Sequence, residues 1–181
     1  AAFSENFNAL KMPYLYRNPD HMWKVLSGPI GEEFISAIAS SNFIGLCYYD
    51  GGQRSFYTKV KVETPADLKG FKIRVQESAL MVGLVESFGA VAQPMPFGEV
   101  YSALQTGVID GAEKNFPSCD TTGHYEVAQY YVMDSHTRIP EVLIASKIVF
   151  DKLTSEQQNI IKQAAKDSVE FQKQKWAEKV K

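Results

Sequence analysis

Between residues 53 and 111 the chain alternates short strand patterns with short helical patterns, and glycines separate them. The apolar and β-branched residues of 54–60 and 71–75 predict two strands. Residues 78–88 predict a helix that ends at Gly89, because glycine readily adopts the left-handed conformation that closes a helix. Alternation of this kind is typical of a sheet covered by helices and places the chain in the α/β class.

The flanking parts of the chain predict two adjacent helices and two apolar strands. Apolar residues recur at helical spacing from 19 to 41, and Gly28 with Pro29 interrupts them, which indicates two helices that meet there. The runs 43–49 and 142–149 are apolar at successive positions. Because a strand buried on both faces has this pattern, we interpret the second run as a central parallel strand.

The C-terminal part of the chain predicts one long helix. Thr154 and Gln157 have the spacing of a capping box, in which each side chain bonds the other residue's backbone N–H. The helical pattern can continue to Lys181. A helix of that length exceeds one small lobe and is expected to span two.

Composition and charge exclude several classes of function. The 19 basic and 21 acidic side chains give a net charge of −2, so there is no surplus of positive charge for a nucleic-acid backbone. No apolar run approaches the roughly 18 residues of a membrane-spanning helix, and the start of the chain has no signal-peptide pattern. Cys47 and Cys119 match no metal or redox spacing, so we expect two buried free thiols, with a disulfide as the alternative.

No motif for catalysis or metal binding stands out. Asp110 and Glu113 are conceivable as an acid/base pair or as metal ligands beside His124, but their spacing matches no known zinc motif. A Gly-x-Ser-x-Gly nucleophile motif and a glycine-rich phosphate loop are also absent from the sequence. We therefore expect no metal, no cofactor and no catalytic residue.

Arg74 is the residue that most strongly suggests ligand binding. Apolar and basic residues alternate in this predicted strand, so Lys72 and Arg74 are expected on the face opposite Ile73 and Val75. Ligands of open α/β sheets bind beyond the carboxyl ends of strands, and Arg74 lies near such an end. Since a guanidinium matches both oxygens of a carboxylate, Arg74 is a candidate carboxylate anchor. The alternative is a surface arginine.

Two other side chains are weaker candidates. Arg54 follows two glycines at the start of a predicted strand, and a surface position is the simpler interpretation. Phe97 precedes a predicted helix. Its ring is expected either to pack on Tyr101 as a hydrophobic staple or to contact the apolar face of a bound acid or sugar.

Two longer segments carry a resemblance to a known family. Residues 64–75 read TPADLKGFKIRV and residues 99–113 read EVYSALQTGVIDGAE. Together with DGGQR at 50–54 and GHYEV at 123–127, they closely resemble the DctP family of solute-binding proteins of TRAP (tripartite ATP-independent periplasmic) transporters. The resemblance covers nearly the whole chain.

The resemblance implies a two-lobed, hinged α/β fold. Residues 1–50 and 139–181 would form an incomplete first lobe with the long lobe-spanning helix, and residues 51–138 would form the second lobe. Because family members begin before the first residue and continue beyond the last, we expect the chain to be a fragment. An exposed sheet edge of such a fragment is expected to pair with another chain.

The resemblance also assigns roles to individual residues. It implies that Arg74 pairs with the substrate carboxylate, that Arg54 assists, and that Phe97 lines the site. The family typically has asparagine after Asp-Gly-Ala-Glu, whereas this chain has Lys114 and then Asn115. Either Lys114 adds a second cation, or Asn115 takes over the amide contact.

A neighbouring loop and the function follow from the same resemblance. Gln76, Glu77 and Ser78 resemble the loop that contacts substrate hydroxyls, where a carboxylate can accept hydrogen bonds from a polyol. The implied function is periplasmic capture of a small organic acid, either a sugar acid such as a uronate or aldonate or a C4-dicarboxylate, for delivery to a membrane permease. The alternatives are a ligand-sensing module on the same fold and a sugar-acid hydrolase that uses Asp110 and Glu113.

Overall fold

The computed structural model describes residues 5–180, which divide into two compact units. Within these residues, the first unit comprises 5–52 and 138–180, and the second comprises 53–137. Both contain helices and strands, in agreement with the predicted α/β class. None of the helices in the described part of the chain combines the length and apolar composition needed to cross a membrane.

The secondary structure consists of strands, α-helices and several short 3-10 helices. The strands are β1 (Phe43–Tyr49), β2 (Gln53–Thr58), β3 (Lys72–Val75), β4 (Val91–Pro94), β5 (Gly111–Asn115), β6 (Tyr130–Tyr131), β7 (Thr137–Arg138) and β8 (Glu141–Ser146). The α-helices are α1 (Pro19–Leu26), α2 (Pro29–Ala37), α3 (Ala79–Ser87), α4 (Val100–Gln105), α5 (Phe116–Thr121), α6 (Lys147–Phe150) and α7 (Ser155–Lys179). The 3-10 helices are Glu5–Lys11, Ile38–Ser41, Pro65–Leu68, Phe97–Glu99 and His124–Glu126.

The first unit begins with the two predicted helices, α1 and α2. Asn18 caps α1, since its side-chain oxygen accepts a hydrogen bond of 2.8 Å from the backbone of His21. Gly31 in α2 approaches the end of α1 so closely that a Cβ atom there would lie 2.0 Å from the carbonyl oxygen of Leu26. The close approach of α2 to the end of α1 therefore requires a residue without a side chain at position 31.

A two-stranded sheet, β1 with β8, completes the first unit together with α7, and it corrects one prediction. The interpretation of 142–149 as a central parallel strand was wrong, because β8 ends at Ser146 and pairs antiparallel with β1. Residues 147–150 form α6 instead. Residues 142–145 are only half-buried in β8, and an apolar run does not determine the direction of the neighbouring strand.

The long helix α7 starts at the predicted capping box. The backbone N–H of Gln157 donates to the Thr154 hydroxyl at 3.3 Å, and the Thr154 N–H donates to the Gln157 side chain at 2.9 Å. Further along, the Gln172 side chain donates to the Asp50 carbonyl oxygen at 2.9 Å and so ties α7 to the end of β1. The helix has 25 residues and ends at Lys179; the predicted end at Lys181 lies outside the described residues.

The second unit is built on a six-stranded sheet with the order β4-β3-β5-β2-β6, and β7 also pairs with β2. Strand β3 runs parallel to both neighbours, and β5 runs antiparallel to β2. Ile73 and Val75 are fully buried in a core on one face, with α3 packed there. Tyr57 and Ala112 belong to a second core on the other face.

Both cysteines are buried free thiols, as the sequence predicts. Cys47 lies in β1 and Cys119 in α5. Burial raises the pKa of the Cys119 thiol to about 11, so this group stays protonated at neutral pH. Burial also raises the pKa of the Cys47 thiol, so neither residue is a reactive thiolate at neutral pH.

Candidate functional site

The register of three strands brings two cationic residues to one face of the second sheet. Arg74 in β3 is paired with Ala112 in β5, and Ala112 is paired on its other side with Tyr57 in β2. Lys114 stands two residues beyond Ala112 and so lies on the same face, because side chains alternate along a strand. This is the face opposite Ile73 and Val75, as the alternation in β3 predicts.

The guanidinium of Arg74 is fixed by a backbone oxygen and an aromatic ring. Arg74 is only 4% exposed, so the alternative of a surface arginine was wrong. Its Nε and Nη2 atoms donate to the carbonyl oxygen of Met95 at 3.0 and 2.8 Å. Its Cζ atom lies 5.6 Å from the centre of the Phe97 ring. One edge of the guanidinium is thereby used by the fold, and burial lowers the pKa of Arg74, which still remains charged at neutral pH.

Lys114 contacts the same ring. Its Nζ atom lies 5.2 Å from the centre of the Phe97 ring, and the side chain is half-buried. Cations over an aromatic face are attracted by the negative potential of the ring. Phe97 itself is half-buried and packs against the second core. Arg74, Phe97 and Lys114 therefore form one cluster.

His124 and Tyr57 complete the aromatic side of this cluster. The Tyr57 hydroxyl and the Nδ1 atom of His124 are hydrogen-bonded at 2.7 Å, and the His124 ring centre is 5.2 Å from that of Phe97. Burial, with a contribution from the Arg74 charge, lowers the pKa of His124, so the imidazole is neutral at neutral pH. Within residues 5–180 no three His, Cys, Asp or Glu side chains are arranged to hold a metal ion.

Arg54 occupies a separate, buried network of charges. Arg54 is 3% exposed, and its Nε and Nη2 atoms donate to the carboxylate of Glu113 at 2.5 and 2.8 Å. His136 is fully buried, with Nε2 at 3.7 Å from Glu113 and Nδ1 at 2.6 Å from Asp134. The surface position considered for Arg54 was therefore wrong, and much of its donor capacity is used by Glu113.

The carboxylates considered for a hydrolase are also held by the fold. Glu113 lies in the Arg54 network. Burial alone would raise the pKa of Glu113, but the neighbouring Arg54 and His136 side chains lower it to about 2. Asp110 accepts a hydrogen bond of 2.8 Å from the backbone N–H of Lys72. Both side chains thus have structural partners, and a carboxyl group with so low a pKa is a poor general acid or base near neutral pH.

The buried network predicts a stability that depends on pH in two windows. The stabilisation from Glu113 is complete above the ordinary pKa of 4.5 and is lost as the pH falls towards 2. Burial lowers the pKa of His136, but the carboxylates of Asp134 and Glu113 raise it above 6.5. The contribution of His136 to stability is therefore complete below pH 6.5 and is lost as the pH rises through the raised pKa. Urea unfolding across this pH range should show both losses of stability. The variant His136→Phe should remove the loss at high pH. If that loss persists in the variant, the assignment to His136 is wrong.

The loop after β3 contains unpaired polar atoms. The Oε1 atom of Gln76 and the Oγ atom of Ser78 are buried and have no hydrogen-bond partner in the described part of the chain. Glu77 between them is exposed. Buried polar atoms are normally satisfied, so two such atoms in one loop call for an explanation.

Asn115 has a role that the sequence analysis missed. Its side-chain oxygen accepts a hydrogen bond of 2.9 Å from the backbone of Ser118 and thereby caps α5. The signal was present in the sequence, because Asn followed by Phe116-Pro117 places a favourable capping residue before a proline in the first helical turn. Tyr57 and the Met95 carbonyl oxygen were also missed, since no local pattern marks them.

Comparison with known proteins identifies the family. The model of the family DctP, bacterial extracellular solute-binding protein family 7, matches residues 1–181. The chain belongs to this family. DctP-family proteins are solute-binding components of transporters and not enzymes.

Individual relatives agree in sequence and in structure. A solute-binding protein of Chromohalobacter salexigens is 42% identical over 96% of this chain and 52% of its own length. The crystal structure of a TRAP periplasmic solute-binding protein from Bradyrhizobium sp. in complex with α/β-D-galacturonate has a TM-score of 0.96, 47% identity, and coverage of 99% of this chain and 60% of that one. A TRAP periplasmic solute-binding protein from Pseudomonas putida F1 with bound D-glucuronate has a TM-score of 0.94, 40% identity, and coverage of 97% and 58%.

These likenesses establish the predicted fold as that of TRAP solute-binding proteins. The chain spans about half the length of the curated relatives that it matches. A complete relative therefore contains a portion with no counterpart in residues 1–181.

Proposed function

We propose that the protein captures a sugar acid outside the cytoplasm and delivers it to the permease of a TRAP transporter. The observation that carries the proposal is Arg74, a buried arginine whose guanidinium is fixed on one edge by Met95 and on one side by Phe97. An arginine held in this way is pre-organised to receive a planar carboxylate.

The apolar surface beside Arg74 suits a sugar ring. Phe97 provides an aromatic face, and His124 is a neutral ring next to it. Aromatic rings pack favourably on the C–H face of a sugar, while the carboxylate of the same ligand is held by the arginine. This combination favours a sugar acid over a small acid without a carbon ring or polyol chain.

The polar atoms after β3 support a hydroxylated ligand. Gln76 Oε1 and Ser78 Oγ lack partners within residues 5–180, and a ligand hydroxyl can donate to one and accept from the other. Arg54 and Asn115, by contrast, are engaged by Glu113 and by Ser118, so we assign them to the support of the site. Lys114 is the better candidate for the contact that the sequence left open, because it shares the Phe97 ring with Arg74.

Related proteins support the same class of ligand. The Bradyrhizobium and Pseudomonas putida structures contain galacturonate and glucuronate, and both proteins are at least 40% identical to this chain. A relative in Escherichia coli K12 is a 2,3-diketo-L-gulonate-binding periplasmic protein. Hexuronates are therefore the first ligands to test.

Isothermal titration calorimetry on the protein at its natural full length tests the proposal. We expect saturable binding of galacturonate or glucuronate with a dissociation constant in the micromolar range or tighter, and no binding of neutral galactose, because only the acids supply a partner for Arg74. C4-dicarboxylates and aldonates serve as competing classes. Equal affinity for galactose and galacturonate, or binding of none of the acids, would overturn the proposal.

A further inference from the structure

The segment GHYEV at 123–127 holds one imidazole ring in a fixed place. Gly123 has a φ angle of 68°, a left-handed conformation that favours glycine, and the 3-10 helix His124–Glu126 follows it. The carbonyl oxygen of His124 accepts a hydrogen bond of 2.9 Å from the backbone N–H of Ala128. The backbone of this turn therefore determines where the His124 side chain starts.

Two tyrosines tie the same turn to neighbouring elements. The Tyr101 hydroxyl on α4 donates to the carboxylate of Glu126 at 3.0 Å. The Tyr57 hydroxyl is hydrogen-bonded to the Nδ1 atom of His124 at 2.7 Å, and these two residues are only 1% and 2% exposed. Because Tyr57 lies in β2, the imidazole is bonded directly to the sheet that carries Arg74.

The Phe97 ring has this imidazole as one neighbour and the Arg74 guanidinium as another. Its centre lies 5.2 Å from the centre of the His124 ring, with the two planes at 52°, and 5.6 Å from the Cζ atom of Arg74. Phe97 is half-buried and begins a 3-10 helix of only three residues. A side chain in such a place keeps one orientation when its neighbours are themselves fixed, as the bonded imidazole is.

The orientation of Phe97 matters most for a ligand that is itself a ring. A pyranose presents a C–H face that an aromatic ring can cover, whereas an open chain has no such face. The carboxylate contact depends less on Phe97, because two hydrogen bonds to the Met95 carbonyl oxygen also fix the guanidinium of Arg74.

We propose that His124 is a positioning residue that sets the orientation of Phe97 and thereby makes the site prefer a cyclic sugar acid over an open-chain one. This inference rests on the proposed function and narrows its ligand class to pyranose acids. L-galactonate is the matched comparison for galacturonate. It has the same carboxylate and the same configuration at its secondary hydroxyl carbons, but its first carbon is reduced, so it cannot close to a pyranose.

The test is calorimetry on the full-length protein and on two double variants that differ only at position 124, Tyr57→Phe/His124→Ala and Tyr57→Phe/His124→Phe. The shared Tyr57→Phe substitution prevents a buried hydroxyl from losing its partner. The alanine variant leaves Phe97 without its aromatic support and should bind galacturonate roughly three- to tenfold more weakly, the range expected for one aromatic pair. The phenylalanine variant restores a ring beside Phe97 and should recover most of this affinity.

Two further variants serve as controls. Tyr125→Ala removes an exposed side chain from the same turn and should change the affinity for neither acid. Tyr57→Phe/His124→Val takes the place of the alanine variant where urea unfolding shows that the latter is not folded, because valine fills part of the space without an aromatic ring.

The ratio of the two affinities separates positioning from a merely structural role. L-galactonate, measured by displacement of galacturonate, should lose less than about twofold in the alanine variant, because it keeps its carboxylate contact. Recovery in the phenylalanine variant decides the result where L-galactonate binds too weakly to displace galacturonate.

Three results would overturn the inference and leave the proposed function standing. They are unchanged galacturonate affinity in the alanine variant, no recovery in the phenylalanine variant, and an equal loss for both acids. Failure of galacturonate and glucuronate to bind the unsubstituted protein would instead remove both the inference and the proposed ligand class.

Discussion

Glu113→Gln is expected to lower the free energy of unfolding by about 3–5 kcal/mol, the cost of leaving a buried charge without its partner. Glu113 and Arg54 are 0% and 3% exposed, and two side-chain bonds join them. The glutamine can still accept one of these bonds, but it does not neutralise the guanidinium. His136, whose raised pKa depends on the same carboxylate, would lose part of its stabilisation at the same time.

The measurement is urea unfolding at pH 6, where Glu113 is ionised. A double variant, Arg54→Met with Glu113→Leu, is the informative control. Replacing both members of a buried ion pair by apolar residues is often neutral, so the double variant should recover most of the loss. The exposed pair of Lys175 and Glu178 on α7 offers a matched control, since Glu178→Gln removes only a surface contact and should change stability only slightly. A loss of the same small size for Glu113→Gln would contradict the role assigned to the network.

The elements that the sequence predicted well are those with local signals. Gly28 and Pro29 separate α1 from α2, and the Thr154–Gln157 capping box starts α7. Gly89 follows α3 with a φ angle of 74°, the left-handed conformation that its position after the helix implies. Each signal acts within a few residues, where backbone sterics and capping bonds decide the conformation.

Predictions that depended on distant partners were less successful. The direction of β8 is set by β1, which lies about a hundred residues earlier in the chain, and apolar composition carries no information about it. The partner of Arg54 is equally remote: the strand pairing of Phe56 with Glu113 brings that carboxylate close. Alternation in β3 was enough to predict the face of Arg74, but the contact of Lys114 with the Phe97 ring arises from the register of β5 and could not be predicted.

The candidate site shows the same difference between local sequence signals and contacts with distant partners. Sequence resemblance supplied Arg74, Arg54 and Phe97 as members of one site, whereas the structure joins Arg74 with Phe97 and engages Arg54 with Glu113. Two arginines of similar appearance in the sequence therefore have different surroundings. This difference makes them experimentally separable: Arg54 variants should act first on stability, and Arg74 variants first on ligand affinity.

Arg74→Ala is expected to weaken binding of the sugar acid by about 2–5 kcal/mol, which corresponds to roughly a 30-fold to several-thousand-fold rise in the dissociation constant. The reason is that the carboxylate would lose a bidentate, charge-assisted partner in a mostly buried position. Arg74→Lys should fall between the alanine variant and the unsubstituted protein, because an ammonium group retains the charge but not the planar fork. Calorimetry with galacturonate measures all three.

Stability controls separate this loss from misfolding. Arg74 also donates to the Met95 carbonyl oxygen, so Arg74→Ala leaves that oxygen with fewer partners and should cost some stability. Arg74→Lys can retain one such bond, and Arg17→Ala removes an exposed arginine of the first unit. Affinity that falls in the order unsubstituted, lysine, alanine while Arg17→Ala binds normally would support direct capture by Arg74. Unchanged affinity in a folded Arg74→Ala protein would exclude it, because no carboxylate anchor of this kind can be removed without weakening the complex.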